Sequence, residues 1–324
     1  MYKTGQDDWT AAMRRGDFER AWAVSDVVLA EWRARGEFDY TQPRHLQTIW
    51  DGRPLARQHV LVRCYHGLGD TVMFIRFARR LRAIAQKVSV WAQPELLPLI
   101  ARAEGVDRVL PLHDGVPDVT YDVDIEVMEL AHALRVTRDE VSACVPYLSS
   151  LEHAVAIPPT GCLRVGLIWA AGNWDPGRSV HFATLEPLLR VPGVAAFSLQ
   201  RGTARSQIKQ SAIPDIATDD VERFAATLRR LDLIISVDTF AAHLAGAMGL
   251  PVWTLLRRNC DWRWTDSGRT TPWYPTMRLF RQQHEGDWRP VVEEMTHELS
   301  ASAMRVSRHS TMPEQRHPSD VRPV

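Results

Sequence analysis

The sequence predicts an α/β fold made of two Rossmann-like, doubly wound domains that face a cleft, preceded by a short helical hairpin. Three observations carry this. Apolar strand-like runs alternate with helical patterns from residue 59 onward, which is the signature of parallel sheets covered by helices. The alternation stops at a Pro/Gly-containing stretch, residues 157–161 (I-P-P-T-G), and then restarts. The chain, at 324 residues, is long enough for two cores of ordinary domain size.

The elements follow in order. Residues 1–40 read as the hairpin: Trp9, Ala12 and Met13 mark a first helix, and Gly16-Asp17 a turn. Val24, Val27, Val28 and Leu29 then give one apolar side to a second helix. Residues 41–150 form the expected first domain. It has strands at 59–65 (H-V-L-V-R-C-Y), 87–92 and 106–112, helices at 71–85 and 96–103, and a strand–helix passage over 123–134. Residues 161–305 form the second. Strands are expected at 163–169, 194–199, 233–237, 251–256 and 277–280, and helices at 185–189, 221–231, 240–248 and 288–299. The polar stretch 306–324, with Pro313, Pro318 and Pro323, reads as a disordered tail.

Composition narrows the function classes. Formal net charge is zero, so no long-range field draws the molecule to nucleic acid, and no nucleic-acid partner is expected. Only Lys3, Lys87 and Lys209 are lysines among 39 basic residues, so a phosphate held in the middle of the chain must meet arginine. The four cysteines show no C-x-x-C spacing, which argues for reduced cytoplasmic thiols and against a zinc site. No membrane span or signal peptide is expected, since no apolar run reaches ~18 residues and no charged-then-apolar leader opens the chain.

Four segments carry chemistry. The first is H-G-L-G-D-T, residues 66–71, directly after the first strand. Gly67 and Gly69 allow a sharp turn at the strand end, where open α/β sheets bind ligands. Asp70 can cap the following helix or face the cleft as a general base, and His66 stands in the same turn. No third glycine completes a dinucleotide fingerprint, which disfavours an NAD enzyme. The second is S-V-D-T-F-A-A-H, residues 236–243: a buried strand ends at Asp238-Thr239, and the helix that starts there offers free amides and a positive dipole to an anion. His243, four residues after Thr239, shares its face. The third is the loop A-A-G-N-W-D-P-G-R-S, residues 170–179, where Arg178 is a candidate diphosphate clamp and Asn173 or Ser179 could add hydrogen bonds. The fourth, residues 261–276, holds Trp262, Trp264, Trp273 and Tyr274; these could stack on a sugar or base, or pack between domains.

Together these segments resemble the heptosyltransferase family, glycosyltransferase family nine, and especially its branch associated with tetratricopeptide repeats. The matching pieces are H-G-L-G-D-T, P-Y-L (146–148), V-G-L-I-W-A-A-G-N, S-L-Q (198–200), S-V-D-T-x-x-A-H-L-A-G-A-M-G and D-W-R-W through P-W-Y-P-T-M-R-L-F-R-Q, spanning about residues 43–300. The Gly16-Asp17-Phe18 turn is similar to half of one tetratricopeptide repeat. The resemblance implies a GT-B fold and inverting, metal-independent transfer of a sugar, heptose among the options, from a nucleotide-diphosphate donor. No cofactor beyond that substrate is implied. By matched position Asp70 is the acceptor-side base, and Asp238, Thr239 and His243 are donor-side. Arg178 stands where heptosyltransferases often carry lysine, and Gln200 joins the donor wall. The implied acceptor is a glycan, glycolipid or protein, with peripheral association at the inner membrane surface allowed. Two other readings fit the same residues: a sugar-nucleotide epimerase or hydrolase, and a non-catalytic partner-binding protein with a vestigial transferase body.

Overall fold

The computed structural model describes residues 3–36, 42–151, 154–172 and 175–310. Two helices come first, α1 (Lys3–Arg15) and α2 (Phe18–Arg35). Gly16 turns the chain at φ +72°, a left-handed conformation that suits glycine, and Asp17 caps α2 by accepting from Arg20 N. The hairpin is docked on both halves of the body. Trp9 meets Trp262 edge-on at 5.0 Å, Phe18 lies 5.6 Å from Trp273, and Trp22 Nε1 donates to Val136 O.

The first half contains β1 (His59–Arg63), α3 (Leu68–Phe74), α4 (Ala78–Ile84), β2 (Lys87–Ala92), α5 (Leu97–Ile100), β3 (Arg108–Pro111), β4 (Val123–Glu126), α6 (Leu130–Ala133) and α7 (Arg138–Ala143). Its four strands are parallel, in the order β3-β2-β1-β4. The second half contains β5 (Leu163–Ile168), α8 (Glu186–Leu189), β6 (Val194–Ser198), α9 (Val221–Leu228), β7 (Leu233–Val237), α10 (Phe240–Ala247), β8 (Val252–Leu256), β9 (Met277–Arg281) and α11 (Arg289–Ser310). Its order, again all parallel, is β6-β5-β7-β8-β9. The central strands are buried on both faces, as their unbroken Val/Ile/Leu runs require.

Each sheet reverses strand order once, between β1 and β4 and between β5 and β7. Those switch points open crevices at the carboxyl ends of the strands, where ligands bind in open α/β sheets. The two crevices face each other because α3 packs on α10. Close approach is possible because α10 is built from Ala241, Ala242, Ala245 and Gly246; a Cβ on Gly246 would sit 2.6 Å from the Tyr274 ring. The P-Y-L segment crosses the same joint, with Tyr147 N donating to Ala247 O.

Two local expectations change. The helix expected over 71–85 is broken by a 3-10 turn at Ile75–Phe77, where Arg76 turns inward. The closing helix continues to Ser310, past the tail start expected at 306, because no glycine or proline follows Pro290 until Pro313. Residues 311–324 lie outside the described residues, as do the expected hairpin boundary at 40/41 and Asn173.

Candidate active site

A cleft of about 1080 Å³ lies between the two sheets. Its first wall is the turn after β1, residues 65–70, with Met128 behind it. Its second is formed by the loop after β5 with Arg178, by Gln200, and by the junction of β7 and α10, residues 238–243. Asp261 and Arg263 close one end.

On the first wall, Gly67 is the N-cap of α3 and Asp70 bonds back to it, Gly67 N donating to Asp70 Oδ2 at 3.0 Å. Asp70 Oδ1 accepts from Arg263 Nη2 at 2.5 Å, so both carboxylate oxygens are engaged. Asp70 is thus not the N-cap the sequence allowed but the third residue of α3, and it closes the helix start from there while lining the cleft. His66 lies beside it, with Nδ1 3.0 Å from Glu126 Oε1 but off the line of a good hydrogen bond. Burial opposes a charge on His66; the carboxylates of Glu126 and Asp70 outweigh it and raise the imidazole above its usual value.

Arg263 is the residue that sequence reasoning passed over. It is 8% exposed, donates to Asp261 Oδ1 at 2.8 Å as well as to Asp70, and lies 4.5 Å over the Trp262 ring. Burial works against its charge, but Asp261 and Asp70 more than restore it. The signal was present: an arginine inside D-W-R-W, in a chain whose central cations had to be arginines. Glu126 was passed over too. It is brought to the site because β4 pairs with β1, placing Glu126 opposite Arg63.

On the second wall, Arg178 Nη1 donates to Asp238 O at 3.1 Å and stands 3.8 Å from the Asp238 carboxylate. Burial pushes the Asp238 carboxyl up, with Trp264 and Arg178 partly offsetting it. Thr239 is the N-cap of α10, and its hydroxyl lies 3.0 Å from Ser236 Oγ. The first amides of α10 have no partner within the helix, and Thr239, Phe240 and Ala241 line the cleft.

His243 shares Nδ1 with the Tyr274 hydroxyl at 2.9 Å and stacks on Trp264 at 5.1 Å. Burial, with Arg263, Arg76 and Arg178 nearby, drives its pKa well below the usual value, so it is neutral at physiological pH and brings no positive charge. Gln200 is fully used in shaping the loop after β5. Its Oε1 accepts from Trp169 N and Ala170 N, and its Nε2 donates to Ala170 O and Arg201 O. The Ser179 hydroxyl accepts from Ala171 N in the same loop. Among the described residues the arginines that line the cleft are Arg178 on one wall, Arg263 at its end, and Arg201, which pairs with Asp219. The aromatic segment resolves in favour of packing: Trp264, Trp273 and Tyr274 are each at most 2% exposed.

No protein-family model matches the chain. Protein FlbA of Caulobacter vibrioides is 26% identical over 286 residues, a match covering 75% of this chain. The chain spans 46% of the length of FlbA. Among solved structures, a glycosyltransferase of family 9 from Veillonella parvula superposes with a TM-score of 0.53 at 13% identity, covering 78% of this chain and 99% of that one. The ADP-heptose LPS heptosyltransferase II of E. coli gives 0.50 at 16% identity, covering 76% and 99%.

Proposed function

The chain has the α/β architecture of GT-B glycosyltransferases, with two parallel sheets, and we propose that it transfers a sugar from a nucleotide-diphosphate donor to an acceptor hydroxyl, with inversion and without a metal. The observation that carries this is the joint placement, on one cleft, of the opening amides of α10, Arg178 and Arg263. Preorganised amides and guanidinium groups aimed at a leaving diphosphate stabilise the charge that develops as the glycosidic bond breaks. Asp238 faces Arg178 at 3.8 Å, so its carboxyl lies beside a cation at the edge of that anion site. The acceptor approaches from the opposite wall, where Asp70 and His66 stand. Its oxygen attacks the anomeric carbon from the face away from the diphosphate, which inverts the configuration. The acceptor is a glycan, glycolipid or protein. Among the described residues no helix is long and apolar enough to cross a membrane.

The test is a thermal-shift panel of nucleotide sugars, followed by NMR of the product anomer. A ligand that binds only the folded state raises its melting temperature by mass action. Stabilisation by one nucleotide class, and a product of inverted configuration, is the expected result. A retained configuration removes the inverting mechanism. Sugar released or isomerised from donor alone, with no transfer to any acceptor, selects the hydrolase or epimerase. A panel without any stabilising nucleotide selects the vestigial body.

A further inference from the structure

We propose that the N-terminal hairpin is a working part of the cleft, with Trp9 and Arg14 as positioning residues that hold Arg263 in place. That Arg263 meets a diphosphate rests on the transferase reading above; its support by the hairpin does not. Arg263 stands on a 3-10 turn, Trp262–Trp264, that opens at Asp261, whose side chain accepts from Arg263 N at 3.0 Å. The turn ends at Thr265 with φ +64°, a backbone conformation that a β-branched residue avoids. Such a conformation persists only where surrounding contacts over-determine it. The second half supplies one, Arg281 Nη2 donating to Trp264 O at 2.8 Å. Helix α1 supplies more. Arg14 brackets the turn, Nη2 donating to Cys260 O at 2.8 Å and Nη1 to Asp266 Oδ1 at 3.0 Å. The Asp266 side chain is 55% exposed, so that ion pair contributes little. The charge-assisted bond to the carbonyl of buried Cys260 is the stronger hold. Trp9 adds its edge-on contact with the Trp262 ring.

Trp262 passes this support to the cleft. Its ring lies against Trp9 at 5.0 Å, Trp273 at 5.9 Å and Phe74 at 6.4 Å, so elements of the hairpin, the second half and the first half all fix it. The Arg263 guanidinium carbon rests 4.5 Å over the same ring, within cation–π range. From that plate Arg263 bonds to Asp261 and reaches across to Asp70. Removing Trp9 takes away one of the three rings that fix the plate, and the cation above it loses its fixed place. Neither Trp9 nor Arg14 is among the residues lining the cleft. Any effect they have on a ligand there passes through the turn.

The test joins hydrogen exchange and calorimetry on the full chain. The amides of Arg263, Trp264 and Thr265 are hydrogen-bonded within the turn, and in Trp9→Ala they are expected to exchange faster. The calorimetric probe is whichever of ADP, GDP, UDP, CDP and dTDP binds wild type most tightly. Its affinity is expected to fall ~2–10-fold in Trp9→Ala and in Arg14→Gln. Trp9→Phe, which keeps an edge-on ring, recovers most of the loss. In an Arg263→Met background Trp9→Ala costs no further affinity, because the group through which it acts is gone. Trp22→Phe removes the hairpin's bond to Val136 O, and is expected to lower the melting temperature while leaving affinity unchanged. Unchanged exchange over 263–265 in Trp9→Ala overturns the proposal. So does an equal affinity loss with and without Arg263, or a loss in Trp22→Phe as large as in Trp9→Ala, since either is an effect of hairpin stability alone. A wild type that binds none of the five diphosphates overturns the transferase reading, and the exchange measurement then decides the positioning by itself.

Discussion

Arg76 makes the joint between the two halves measurable. Its side chain is 3% exposed, and among the described residues no carboxylate pairs with it. Instead Nε donates to Met73 O at 2.7 Å, Nη1 to Val141 O at 2.9 Å and Trp273 O at 2.8 Å, and Nη2 to the Tyr147 hydroxyl at 2.9 Å. The rings of Tyr147 and Tyr274 lie 4.6 and 4.8 Å from the guanidinium carbon. First-half carbonyls and a second-half carbonyl thus share one cation. Arg76→Met roughly keeps the volume and removes all four bonds. Stranding the Val141 and Trp273 carbonyls costs ~1–3 kcal/mol each. Relief from burying a charge returns part of that, leaving a net loss of about 3 kcal/mol. With an unfolding entropy of about 2.1 cal/mol/K per residue, this lowers the melting temperature of a chain this size by about 4–5 °C. Scanning fluorimetry reads the shift directly, and urea unfolding checks that the slope is unchanged. A methionine variant melting within about 1 °C of wild type would refute the reasoning, since the carbonyls would then have found other partners.

Three further outcomes follow from the same structure. Glu129 is raised to about 8 when folded against 4.5 in the unfolded chain, so its contribution is full below 4.5 and is lost as pH rises toward 8. Glu129→Gln should therefore gain stability relative to wild type between pH 5 and pH 8, as read by melting temperature across about that range; an unchanged difference refutes the burial argument. Phe18→Ala removes a ring packed between Trp22 and Trp273 and should cost ~3–5 kcal/mol, detectable as loss of hairpin protection in hydrogen exchange. In Gly69→Ala the new Cβ would lie 2.9 Å from His243 Cδ2, pushing that ring from Trp264; weakened nucleotide binding measured by calorimetry is expected, and undiminished affinity would show that the ring's place does not matter.

Much of the fold was legible because it rests on local period. The runs at 59–65, 163–169 and 233–237 can only be strands buried on both faces, and β1, β5 and β7 fall there. The candidate turn at 66–70 and the junction at 238–243 were legible for a related reason: glycines and small residues at strand ends mark switch-point crevices, and both turns line the cleft. What stayed hidden depends on contacts distant in sequence. Arg76 reads as the polar face of a helix, yet it is drawn inward by carbonyls 65 and 197 residues away. Trp264 and Tyr274 have no helical or strand period to betray their burial, which comes from packing on α10. Arg263 reaches Asp70 across 193 residues, and the packing of α3 on α10 brings the two halves together.

The central claim is that the cleft is built for a diphosphate. Calorimetry of wild type, Arg178→Met and Arg263→Met, each with matched nucleoside mono- and diphosphates, tests it most directly. Charge-assisted bonds worth ~1.5–3 kcal/mol predict that the wild type prefers the diphosphate by about 10–100-fold and that each variant loses much of this preference. Equal affinity for mono- and diphosphate in wild type, or a preference that survives both substitutions, would contradict the account.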